Sequence, residues 1–186
     1  MKIKDLKLAL SATPKKHDNT RYYLNSILIS KTSISASTGH ILCYISDMNN
    51  FMPDYIESVL VPVDAIKLLL KKIGTKDNDL EVIITNINNR YELSCLNKVE
   101  VFEPVDSKYP NFDKFIDEIK ANDHDKSITN NPHQFNPEFL YIAYKAIAEY
   151  FDKKDIVLRL YNISKCGYFM PAYEYDILYI IMPWRV

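Results

Sequence analysis

Four histidines, three cysteines and one Asp-His-Asp triplet are the residues here whose types could do covalent, acid–base or metal chemistry. Their spacing argues against all of it. His17, His40, His124 and His133 show no ligand spacing, and the chain lacks a glycine-rich phosphate loop, a Gly-x-Ser-x-Gly elbow and a His-Glu-x-x-His pair. Asp123-His124-Asp125 lies in a polar stretch, whereas general acid–base work needs a cleft that tunes the pKa, so the triplet reads as solvated linker. Cys43, Cys95 and Cys166 are odd in number and each sits in an apolar strand pattern, which reads as buried free thiols in a reducing compartment. No catalytic residue, metal site or cofactor is expected, and the chain is read as a non-enzyme. What remains is charge and apolar surface. Lys67 and Lys71, four apart, share a helix face that Lys72 and Lys76 extend, a pattern suited to phosphates but most often merely a solvated face. The chain ends in an apolar strand, Tyr179-Ile180-Ile181-Met182, stopped by Pro183, which cannot donate to a sheet ladder.

The elements that must position these residues are legible as periods. Leu80, Val82 and Ile84 alternate, Asn86–Arg90 turns the chain, and Tyr91, Leu93 and Cys95 alternate again, so a strand pair with one buried face is predicted. Ile66, Leu69, Leu70 and Ile73 recur at helical spacing before Gly74, a stop signal. The same order returns later: Asn136 caps, Pro137 suits the first turn, and Phe139, Ile142, Ala143, Ala146, Ile147 and Tyr150 form a stripe. Strands are then predicted over Ile156–Tyr161, Cys166–Met170 and Ile177–Met182. An earlier copy has a helix around Lys4–Thr13 and strands over Tyr22–Ser30 and Ser33–Ser46, its leading strand absent or abbreviated. Three β-α-β-β-β-like units result. With 186 residues, 47% of them hydrophobic, the chain can bury one sizeable core or two small ones; its net charge of −1 signals neither nucleic acid nor membrane. No apolar run approaches the roughly 18 residues of a membrane helix, and Met1–Lys7 has no signal-peptide apolar region, so no membrane partner and a cytoplasmic location are expected.

Several segments, in fixed order, resemble the bacterial DNA polymerase III β subunit family, the sliding clamps. Arg21-Tyr22-Tyr23-Leu24-Asn25 is similar to the opening of the clamp's middle domain, and Ser33 to Leu42 resembles its Ala-Thr-Asp-Gly-His-Arg-Leu hairpin. Ser58 to Pro62 resembles the strand before the second helix, and Ser107 to Phe112 the Gly-x-Phe-Pro-Asp-Tyr segment that closes that domain. Phe135 to Leu140 resembles a helix start of the last domain, and Met182-Pro183-Trp184-Arg185-Val186 its end. The resemblance implies an α+β DNA-clamp fold, with antiparallel sheets outside and helices on the inner face. It places a clamp-like domain at 1–118, a linker at 119–132 and half of a further clamp domain at 133–186.

The function implied is tethering: a processivity factor in DNA replication that binds short motifs of DNA polymerases and repair proteins, typically a Gln followed by Leu and Phe anchors. Carried over by position, the peptide groove would comprise Leu24, Gly39, His40, Ile41 and Leu42, then Pro110, Lys114 and Phe115, then Ser164, Cys166, Ile180, Met182, Pro183, Trp184 and Arg185. The family's usual Met is Trp184 here, and its Arg after the Gly-His pair is Ile41, which makes the groove bulkier and more apolar. Double-stranded DNA would meet Lys67, Lys71 and Lys72 on the helix and Lys15, Lys16, Arg21, Tyr22 and Tyr23 on a loop, although Val63-Asp64 replaces a basic pair common in clamps. The orphan third unit is expected to pair with its copy in a homodimer or higher ring, or else to fold back on its own chain. The alternative function is a decoy of phage or mobile-element origin that keeps the groove without encircling DNA.

Overall fold

A computed structural model describes residues 1–46, 51–74, 77–88, 90–122, 135–153, 158–163, 166–171 and 176–182; for 119–122, 158–163 and 166–171 the backbone alone is described. In chain order the elements are α1 (Ile3–Ser11), β1 (Ser26–Ser30), β2 (Ser33–Ser37), β3 (Ile41–Ser46), β4 (Ser58–Pro62), α2 (Val63–Ile73), β5 (Ile83–Ile87), β6 (Arg90–Cys95), β7 (Lys98–Phe102), α3 (Asp113–Asn122), α4 (Pro137–Phe151), β8 (Leu158–Ile163), β9 (Cys166–Pro171) and β10 (Ile177–Ile181). No helix among the described residues is long and apolar enough to cross a membrane.

All strand pairs are antiparallel. The larger sheet runs β4-β1-β2-β3-β10-β9-β8 and the smaller β5-β6-β7. The larger sheet is continuous because β10 lies on the edge of β3 over five residues, from Ile177 opposite Ile45 to Ile181 opposite Ile41. β10 and, up to its terminal Ser46, β3 are apolar throughout, and both of their faces are covered, as such runs require. On one face Ile34, Ala36, Ile41, Cys43, Ile45, Ile177, Tyr179 and Ile181 join the helices in the main core. On the other, Leu42, Tyr44, Leu178 and Ile180 meet Ile116, Phe112 and Phe115 of α3 and its approach.

Local signals set each helix. Asn136 accepts the Glu138 N–H at 2.9 Å, Pro137 opens α4, and Asp152 closes it in the left-handed region. Gly74 ends α2 at φ +60°, its N–H bonded to Leu70 O. Asp5 ties helices together: its carboxylate accepts the Lys2 N–H at 2.6 Å and the Tyr150 hydroxyl at 3.0 Å, joining α1 to α4. The Tyr179 hydroxyl lies 3.0 Å from Ser11 Oγ, which joins β10 to α1.

Several elements differ from the sequence expectation. Tyr22–Asn25 is a 3₁₀ turn and not the start of a strand, because Asp18 accepts the N–H groups of Thr20 and Arg21 and curls the chain there. The first unit's leading strand is a single bridge, Lys2 to Glu81. Helix α3 continues through Asn122 and so takes in the first positions assigned to the linker; its Phe115 and Ile116 have the sheet's outer face to cover. The rest of that linker, Asp123-His124-Asp125 included, lies outside the described residues. Cys43 and Cys95 are buried free thiols whose pKa values burial raises; the Cys166 side chain lies outside the described set.

Candidate binding groove

The β2–β3 hairpin is built by its own hydroxyls. Ser37 Oγ donates to Ile41 O at 2.7 Å and accepts the Gly39 N–H at 2.9 Å, while Thr38 Oγ1 accepts the N–H groups of His40 and Ile41. Gly39 has φ +87°, and a Cβ there would overlap the Arg21 guanidinium that lies across it. The tip then grips the chain's end: the Met182 N–H donates to His40 O at 2.9 Å, and the His40 ring stacks on Phe139 of α4 at 5.8 Å.

Between this tip, the end of β10 and the approach to α3 is an apolar groove of about 220 Å³. Nine of the expected residues line it: Leu24, Gly39, His40, Ile41, Leu42, Pro110, Phe115, Ile180 and Met182. They come from four separate stretches of sequence, and the β3–β10 pairing brings the second and the last together. Lys114 is exposed and outside the lining, since adjacent helical positions point about 100° apart and Phe115 takes the inward one. Ser164, Pro183, Trp184 and Arg185 lie outside the described residues, as does the side chain of Cys166.

Four lining residues escaped the groove assignment: Arg21, Tyr23, Ser37 and Phe112. Phe112 was detectable two positions beyond Pro110. Arg21 and Tyr23, expected on the DNA surface, also line the groove, where the 3₁₀ turn places them. Tyr23 meets Tyr109 edge to face at 6.0 Å, and Tyr109 meets Phe112 at 5.8 Å. Arg21 is held by Asp18, with Nη2 to Oδ2 at 3.0 Å; the Arg21 backbone N–H and then its guanidinium keep the Asp18 carboxyl below its ordinary pKa. Behind the groove the Tyr44 hydroxyl donates to Asp113 at 3.1 Å; burial first, and that carboxylate second, push its pKa up to about 12.

The helix side is electrostatically mixed. Lys67 and Lys71 are exposed on α2, and neither forms an ion pair among the described residues. Lys72 instead turns to β7, donating to Val99 O at 2.9 Å and pairing with Glu100. Lys15 pairs with Glu138 at the start of α4, Lys16 is exposed in the loop, and Tyr22 is half exposed.

This arrangement, with antiparallel sheets, helices α1, α2 and α4 gathered on one face and a strand-paired junction carrying an apolar groove, is the fold of the bacterial DNA sliding clamp. No protein-family model matches the chain, and no curated protein does. Among solved structures it is similar to a DNA polymerase sliding clamp from Pseudomonas aeruginosa, with TM-score 0.67 and 18% identity over 100% of this chain and 66% of that one. A putative DNA polymerase III beta subunit from Eubacterium rectale gives TM-score 0.65, 17% identity, and coverage of 100% and 65%. A Bartonella birtlesii sliding clamp, solved bound to griselimycin, gives 0.66, 19%, 100% and 65%. The chain thus spans about two thirds of the length of these clamps.

Proposed function

We propose that this chain is a clamp-like tethering factor that holds DNA polymerases or repair proteins by short peptides seated in the apolar groove. The observation that carries this reading is the groove itself: four distant stretches converge on one apolar trough at the β3–β10 junction. Its aliphatic, aromatic and thioether walls suit a peptide with two or three apolar anchors, and Arg21 and His40 supply polar groups at its edge. It works by holding, without turnover. Titrating a labelled Gln-Leu-x-Leu-Phe peptide by fluorescence polarisation tests it; micromolar-range saturation is expected. No saturable binding at roughly millimolar protein would overturn it.

In its working state the tether surrounds duplex DNA as an oligomer. Supporting this, β8 ends the larger sheet with one neighbour among the described residues, and α4 leaves Tyr141 and Tyr144 exposed, a flank on which a second copy could sit. A second reading, the non-encircling decoy, draws on the helix side: Lys15 and Lys72 are engaged within the chain, and the exposed residues of α4 include Glu138 and Glu149 beside Lys145. Sedimentation with and without circular DNA separates the two readings.

A further inference from the structure

A second cavity, of about 440 Å³, lies behind the segment that links β7 to α3. That segment crosses the outer face of β1, β2 and β4, tied down where the Val105 N–H donates to Leu60 O at 3.0 Å. The cavity floor is a patch of serines, which is unusual for a covered sheet face. Ser30 and Ser33 satisfy each other at 2.8 Å. The Ser35 hydroxyl is not so paired: the residue is 2% exposed, lines the cavity, and its Oγ makes no hydrogen bond among the described residues. A hydroxyl so placed is open to a partner that enters the cavity. The charged lining groups are Asp106 and Asp113, with no lysine or arginine among them; Lys108 on the same segment is exposed and outside the lining. Acceptors on the rim and hydroxyls on the floor fit a ligand that is rich in donors and cationic.

Pro110 and Phe112 line this cavity and the apolar groove alike, so a peptide leaving the groove at that end meets the cavity next. We infer that the cavity receives a lysine or arginine side chain that flanks the apolar anchors of the same bound peptide. This rests on the groove reading and narrows it: partners carry a basic residue beside the anchor motif. Arginine suits the site better, because its guanidinium can donate to Ser35 and to a carboxylate at once.

Polarisation titrations of the full chain test this with the anchor peptide alone, with arginine added at either end in turn, and with glutamate in the same places. Arginine at one end is expected to tighten binding about fivefold, and glutamate there to weaken it. Asp106→Asn combined with Ser35→Ala should abolish the arginine gain and leave the anchor peptide's affinity unchanged. Equal binding of all peptides, or a gain that survives in the double variant, overturns the cavity inference while the groove stands. No binding of any peptide removes the groove reading and the inference together.

Discussion

Met182→Ala isolates the groove from the fold better than any other substitution in its wall. Its backbone N–H holds the hairpin tip through His40 O, and alanine keeps that bond. Its side chain is 42% exposed in the free chain, so more than half of its burial already belongs to the fold and the remainder is available to a ligand. Full burial of a methionine side chain contributes about 1.5–3 kcal/mol, so covering the exposed part adds about 0.6–1.3 kcal/mol to binding. The variant should therefore bind the anchor peptide about threefold to tenfold more weakly. Leu42→Ala offers the contrast. Leu42 is buried in the outer core with Tyr44, Leu178 and Ile180, so it should lose about 2–5 kcal/mol of stability as well as affinity. Polarisation gives the Kd and urea unfolding gives the stability. A Met182→Ala protein with unchanged Kd and unchanged unfolding midpoint would refute the placement of the ligand against β10.

Other outcomes follow from single contacts. Gly39→Ala should cost about 1–2 kcal/mol and weaken peptide binding, since φ +87° disfavours a Cβ and Arg21 must move; urea unfolding and polarisation read the two effects. Lys67→Glu with Lys71→Glu should lower duplex affinity for all sequences alike and flatten its salt dependence, whereas Lys72→Glu should chiefly destabilise α2 against β7, which a salt series and thermal melts distinguish. Because burial raises the Tyr44 pKa from 10.0 to about 12, the folded state holds a proton the unfolded state releases; stability is full below pH 10 and falls as pH rises towards 12. Tyr44→Phe should flatten that alkaline loss in denaturation curves. Light scattering at about 10 μM should give a multiple of the chain mass for the ring-forming tether, and a single-chain mass that does not rise on concentrating assigns the chain to the decoy.

The sequence by itself determined what depends on near neighbours. Alternation at Val82, Ile84, Leu93 and Cys95 put those four in the core, and helical spacing did the same for Ile66, Leu69, Ala143 and Ile147. Asn136, Pro137 and Gly74 marked helix ends because caps act within one turn. The hairpin and the carboxyl-terminal strand were readable for the same reason, whereas the nine lining residues were placed by the resemblance to the sliding clamps and not by periodicity. Tertiary structure decided the rest. The 3₁₀ turn that redirects Arg21 and Tyr23 depends on Asp18, whose side-chain bonds to backbone N–H groups leave no periodic trace. Helix α3 has a polar composition, and what defines its inner face is the outer surface of β3 and β10, which exists only once residues far apart in sequence have paired. The pairing of lysines with Glu138 and Glu100 is likewise a matter of which strands and helices meet, since a charge's partner in space is not set by its place in the chain. The serine floor of the second cavity reads in sequence as an ordinary polar strand face; only the covering segment makes it a hydroxyl-lined cavity.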